Sequence, residues 1–72
     1  MFKLLKHLKN RLNSIRSRRQ KLAQLELKLR SMRSIATKVR DQNPEDQQLN
    51  KLNQRFQNLK AEAQKLQEQL DN

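Results

Sequence analysis

Glycine is absent from this chain and proline occurs once, at position 44, so a single point in 72 residues interrupts an otherwise continuous helical vocabulary. Glycine and proline are the strongest breakers of regular backbone, and what lies between the ends and Pro44 is Leu, Lys, Arg and Gln, all low-cost helix formers. Apolar residues never alternate with polar ones for more than a step or two, so no half-buried strand is encoded. The chain reads as all-α, with its turn at Pro44.

Two heptad stripes flank that turn. Leu49, Leu52, Phe56, Leu59, Ala63, Leu66 and Leu70 follow at spacings of 3, 4, 3, 4, 3 and 4. Such spacing puts every member on one side of a helix and is the signature of a coiled-coil seam. Upstream, Leu22, Leu25, Leu29, Met32, Ala36 and Val39 repeat it. Between the stripes, Asn43 suits an N-cap and Pro44 the first position of a second helix. Glu45 and Asp46 would then put negative charge on the positive end of its dipole. The residue before a proline is driven out of the right-handed helical region, which ends the first helix by about Gln42.

If the two helices fold back antiparallel, the numbers of facing residues have a constant sum. Val39 with Leu49, Ala36 with Leu52, Met32 with Phe56, Leu29 with Leu59, Leu25 with Ala63 and Leu22 with Leu66 each sum to 88, and the midpoint is Pro44 itself. The pattern predicts a two-helix antiparallel coiled coil over residues 18–72, with helices at about 18–41 and 44–71. Arg18 falls opposite Leu70 under the same rule, so the seam ends there. Leu27, Ile35 and Ala23 lie off the main seam and form a second, weaker strip suited to docking another hairpin.

Residues 1–17 overhang as an arm. Phe2, Leu5, Leu8, Leu12 and Ile15 recur at helical spacing with Lys3, Lys6, Lys9, Arg11 and Arg16 around them, an amphipathic pattern. Its phase shifts near Ser17–Gln20, where position 19 is arginine. Ser17 and Gln20 have capping-box spacing, so residues 2–41 fit either one helix of about 60 Å or two shorter ones.

Charge divides the chain in the same way. Residues 1–40 hold 13 Lys/Arg and one acid, Glu26, whereas residues 41–72 hold four Lys/Arg and six acids. A half so one-sided faces an anionic partner. Arg11, Arg16, Arg18, Arg19, Lys21, Arg30 and Arg33 are the candidates for phosphate contact, and no aromatic residue lies among them to stack on bases. Binding would read backbone and shape rather than sequence.

Catalysis has no support in the residues. His7 is the only histidine and has no acid near it in sequence, and Asp41, Glu45 and Asp46 lack the spacing of a calcium loop. No nucleophile–base pair, phosphate loop or zinc spacing is present. The expectation is a protein that is not an enzyme and takes no cofactor or metal. With no cysteine, a reducing compartment such as the cytoplasm is expected, with peripheral membrane attachment open. No apolar run reaches the ~20 residues of a membrane span, and the basic start lacks the continuous apolar stretch of a secretory signal.

Few large side chains are available for a core, since only 33% of residues are hydrophobic and aromatics are limited to two phenylalanines. A hairpin of this size is expected to complete its core by self-association, as a dimer or larger. The leading functional expectation is an oligomeric hairpin that binds nucleic-acid backbone through its basic first helix. Two others stay open: a membrane-surface protein held by the arm, and a structural or secretion-associated coiled-coil subunit docking a partner protein's helix.

Overall fold

A computed structural model describes residues 2–71; Met1 and Asn72, the outer ends of the expected arm and hairpin, lie outside the described residues. Two helices make up the fold, α1 over Phe2–Gln42 and α2 over Asp46–Asp71. They pack antiparallel as a hairpin, forming a rod 65 Å long and 14 to 16 Å across. α1 is one unbroken helix of 41 residues, so the phase shift near Ser17–Gln20 changes which side is apolar without breaking the backbone. Arg40 in its last turn favours the negative end of the helix dipole.

The turn works differently from the capping scheme read in the sequence. Asn43 has φ of 45°, a left-handed conformation, and closes α1 instead of capping α2. Asparagine tolerates this region better than most residues, and a proline just beyond is usual because it cannot extend the helix. The first backbone bond of α2 runs from the Leu49 N–H to the Glu45 carbonyl, 2.8 Å, so Glu45 occupies the N-cap and Asp46 the first turn.

The seam is also shifted on α1. Ile35 and Ala63 are the buried apolar residues, with Leu25, Met32, Val39, Leu52, Phe56, Leu59, Leu66 and Leu70 half-buried. Lys21 and Lys28 are half-buried too, so the side of α1 toward α2 runs Lys21, Leu25, Lys28, Met32, Ile35, Val39. Leu22, Leu29 and Ala36, expected in the seam, are exposed, and Leu49 is exposed at its edge. Ile35, read as part of a second strip with Leu27 and Ala23, belongs to the seam; Leu27 is 62% exposed. The lysines fit because their aliphatic stems lie along apolar neighbours while the ammonium reaches outward.

Candidate functional site

Carried toward the N-terminus in heptad steps, the seam of α1 runs onto Arg18, Ser14, Arg11 and His7. These residues are polar, so no apolar pair continues the hairpin. α2 ends beside them, with Gln69 and Leu70 lining a shallow recess together with Ser14, Arg18 and Lys21. Ser14 spends its hydroxyl proton on the Asn10 carbonyl, 3.1 Å away. The first turns of α1 therefore extend past α2 as bare helix.

On that bare helix Leu5, Leu8, Leu12 and Ile15 form one stripe. At the roughly 100° per residue of an α-helix, the stripe lies about a quarter turn from the line that α2 would have followed. Of the four, only Ile15 borders the end of α2, lining the recess with Leu70. All four are exposed, from 61% at Leu5 to 45% at Ile15, and Phe2 is 89% exposed. Lys9 and Arg16 border the stripe on one side and Arg11 on the other, while Lys3, Lys6 and His7 lie around the remaining circumference. No acid precedes Glu26, and none of the cations from Lys3 to Arg19 has an ion-pair partner among the described residues.

The seven cations picked out for phosphate contact do not converge. Arg11, Arg18 and Lys21 line the recess at the end of α2. Arg16, Arg19, Arg30 and Arg33 fall, by helical spacing, on the side of α1 away from α2. Arg30 is engaged by Glu26 at 2.8 Å, one turn earlier. Arg40, outside that set, is held by Asp41 at 2.8 Å.

No family model matches the chain, and neither does a curated protein or a solved structure.

No group of three or more metal-ligating side chains occurs among the described residues. No described helix is long and apolar enough to cross a membrane. Sequence spacing had missed the involvement of Lys21 and Lys28 with α2. Their charge pointed to solvent, and only the placement of Glu62, which pairs with Lys28, marks the difference.

Proposed function

We propose that this chain is a non-enzymatic helical-hairpin protein that binds an anionic membrane surface through the basic first helix, with residues 2–17 as the inserting arm. One observation carries the reading. The arm is a preformed helix whose exposed side chains include an apolar stripe and unpaired cations, with no acid among them. A helix of this kind lies in the plane of the interface, leucines down, with lysine and arginine stems reaching up to phosphate headgroups. Each cation near an anionic leaflet contributes about 1 kcal/mol, and each fully buried leucine about 1.5–3 kcal/mol.

Nucleic-acid backbone, the leading expectation from sequence, is the second reading. It is favoured by Arg16, Arg19, Arg30 and Arg33, which form a ridge on the side of α1 away from α2. It ranks lower because phosphate contact uses the cations and leaves Phe2, Leu5, Leu8 and Leu12 in water.

A competition separates the two: vesicles of phosphatidylserine and phosphatidylcholine against duplex nucleic acid, read by co-sedimentation over a salt series. The expected outcome is vesicle binding that survives ~0.5 M salt, where charge attraction is largely screened. It is abolished when Phe2, Leu5 and Leu8 become serine. Capture by the duplex, lost steeply with salt and crippled by Arg16→Gln with Arg18→Gln and Arg19→Gln, overturns the membrane reading in favour of nucleic acid.

A further inference from the structure

Leu8, Ile15, Leu22, Leu29 and Ala36 recur at intervals of seven along α1. A repeat of seven keeps a constant bearing relative to a coiled-coil seam, so this file runs beside the seam for its whole length. It is uncovered: Leu22 and Leu29 are 49% and 48% exposed, and Ala36 is exposed as well. A helix with one neighbour needs two apolar positions in seven, whereas one packed against two neighbours shows three. Through the hairpin α1 carries two fully apolar files, Leu25–Met32–Val39 and Leu22–Leu29–Ala36, beside the Lys21–Lys28–Ile35 file in which only Ile35 is apolar, and it has one neighbour.

Ala36 and Val39 share a groove with Leu49, Asn53 and Phe56, so the file and one edge of α2 form a single face of the hairpin. The opposite face groups Gln24, Leu27, Lys28 and Ser31 with Leu59 and carries the Lys28–Glu62 ion pair. On the first face the flank of α2 runs Asn50, Asn53, Gln57, Lys60, Gln64 and Gln67, five amides and one cation. The α2 border of the face is thus nearly uncharged, whereas its α1 border carries Arg19, Glu26, Arg33 and Arg40.

We propose that this face is the interface between two copies of the chain, with α1 of each laid against α2 of the other. Charge decides the arrangement. Stacking α1 on α1 brings together two files of Arg19, Arg33 and Arg40 in which Glu26 is the one acid, a costly like-charge approach. Stacking α1 on α2 sets them against amides that accept their hydrogen bonds. The two-fold axis then lies along the rod, so every adjacent helix pair is antiparallel. Both turns lie at one end and both arms at the other.

The face extends about 30 Å from Ile15 to Ala36 at 1.5 Å per residue. With a rod 16 Å across, a second copy covers on the order of 500 Å² in projection, and more of the corrugated accessible surface, near the roughly 800 Å² per partner of a standard interface. The pairing takes Ile15 from the arm's stripe and leaves Phe2, Leu5, Leu8 and Leu12 free, and it presents two arms side by side, so an anionic surface is engaged twice at one end.

Sedimentation equilibrium and energy transfer test this on the full chain. The unmodified protein is expected to be dimeric at micromolar concentration. Leu22→Gln with Leu29→Gln shifts it to monomer, whereas Leu27→Gln on the other face leaves the dimer intact. A monomeric unmodified protein, or a dimer indifferent to the Leu22 and Leu29 pair, overturns the proposal. Should that pair of substitutions unfold the hairpin, a second measurement decides. Lys3→Cys chains labelled separately with donor and acceptor, then mixed, show strong transfer if the arms share one end. Absent transfer, with the labels apart by about the length of the 65 Å rod, overturns the arrangement.

Discussion

Lys28 reaches across the hairpin to Glu62, Nζ to Oε2 at 2.6 Å, from a seam position between Leu25 and Met32 where an apolar side chain would ordinarily sit. Its side chain is 28% exposed and that of Glu62 54%, so solvent screens the pair. Partly exposed pairs of this kind contribute about 0–1 kcal/mol. A leucine at the same place would bury apolar area worth ~1–2 kcal/mol. Lys28→Leu is therefore expected to raise the unfolding midpoint in urea. Glu62→Gln should lower it slightly at low salt and leave it unchanged at high salt. A lower midpoint for Lys28→Leu would mean that the ion pair outweighs the apolar contact.

Asn43 carries the turn, and its left-handed φ of 45° makes a second prediction. Asn43→Gly should keep the hairpin within a few tenths of a kcal/mol, since glycine enters this region without steric cost. Asn43→Val, whose branched side chain opposes positive φ, is expected to cost about 1–2 kcal/mol. Thermal unfolding followed by circular dichroism reads both. Equal midpoints would place the constraint at Pro44 instead.

The hairpin itself was legible because one proline stands between two 3-4 repeats with a common midpoint. The seam on α1 was legible only in part. Leu25, Met32 and Val39 have on either side a file that completes a 3-4 repeat, and spacing does not say which file turns toward α2. Composition favoured Leu22, Leu29 and Ala36 over Lys21, Lys28 and Ile35. The structure turns the second set inward, burying Ile35 and exposing two leucines. A lysine stem can lie in a seam while its charge leaves it, and a hydropathy count scores the whole residue as polar. The same ambiguity hides the Leu22–Leu29–Ala36 file as a separate surface, because by spacing its residues also fit the hairpin seam. The turn was misread because asparagine suits both ends of a helix, and only the backbone angle distinguishes them.

Among the described residues, Ile35 is the one large apolar side chain that the hairpin buries, at 6% exposure. Ile35→Ala is expected to cost about 2–4 kcal/mol, the usual range for removing buried methylenes from a closed site. For a hairpin with so small a core that loss leaves little folded protein. Leu27→Ala, off the seam and 62% exposed, should remain within about 0.5 kcal/mol of the unmodified chain. Urea titration of the two variants in parallel checks the seam directly. Comparable losses would return Leu27 to the packing surface.

Hydrogen exchange should divide α1 into two regimes even though its backbone is continuous. From about residue 21 to residue 42 the helix is backed by α2, and opening it there separates Leu25, Met32, Ile35 or Val39 from their partners. From Phe2 to Asn13 the helix has no tertiary support, and an isolated stretch of that length is marginal in water. Local opening therefore costs little in the arm and approaches the global unfolding free energy around Ile35. The arm amides should exchange orders of magnitude faster than those of residues 25–39, and anionic vesicles should slow the arm selectively, because burying the stripe of Leu5, Leu8, Leu12 and Ile15 couples helix opening to leaving the interface. Protection that is uniform along α1 in free solution would contradict this, and would mean that another chain already covers the arm.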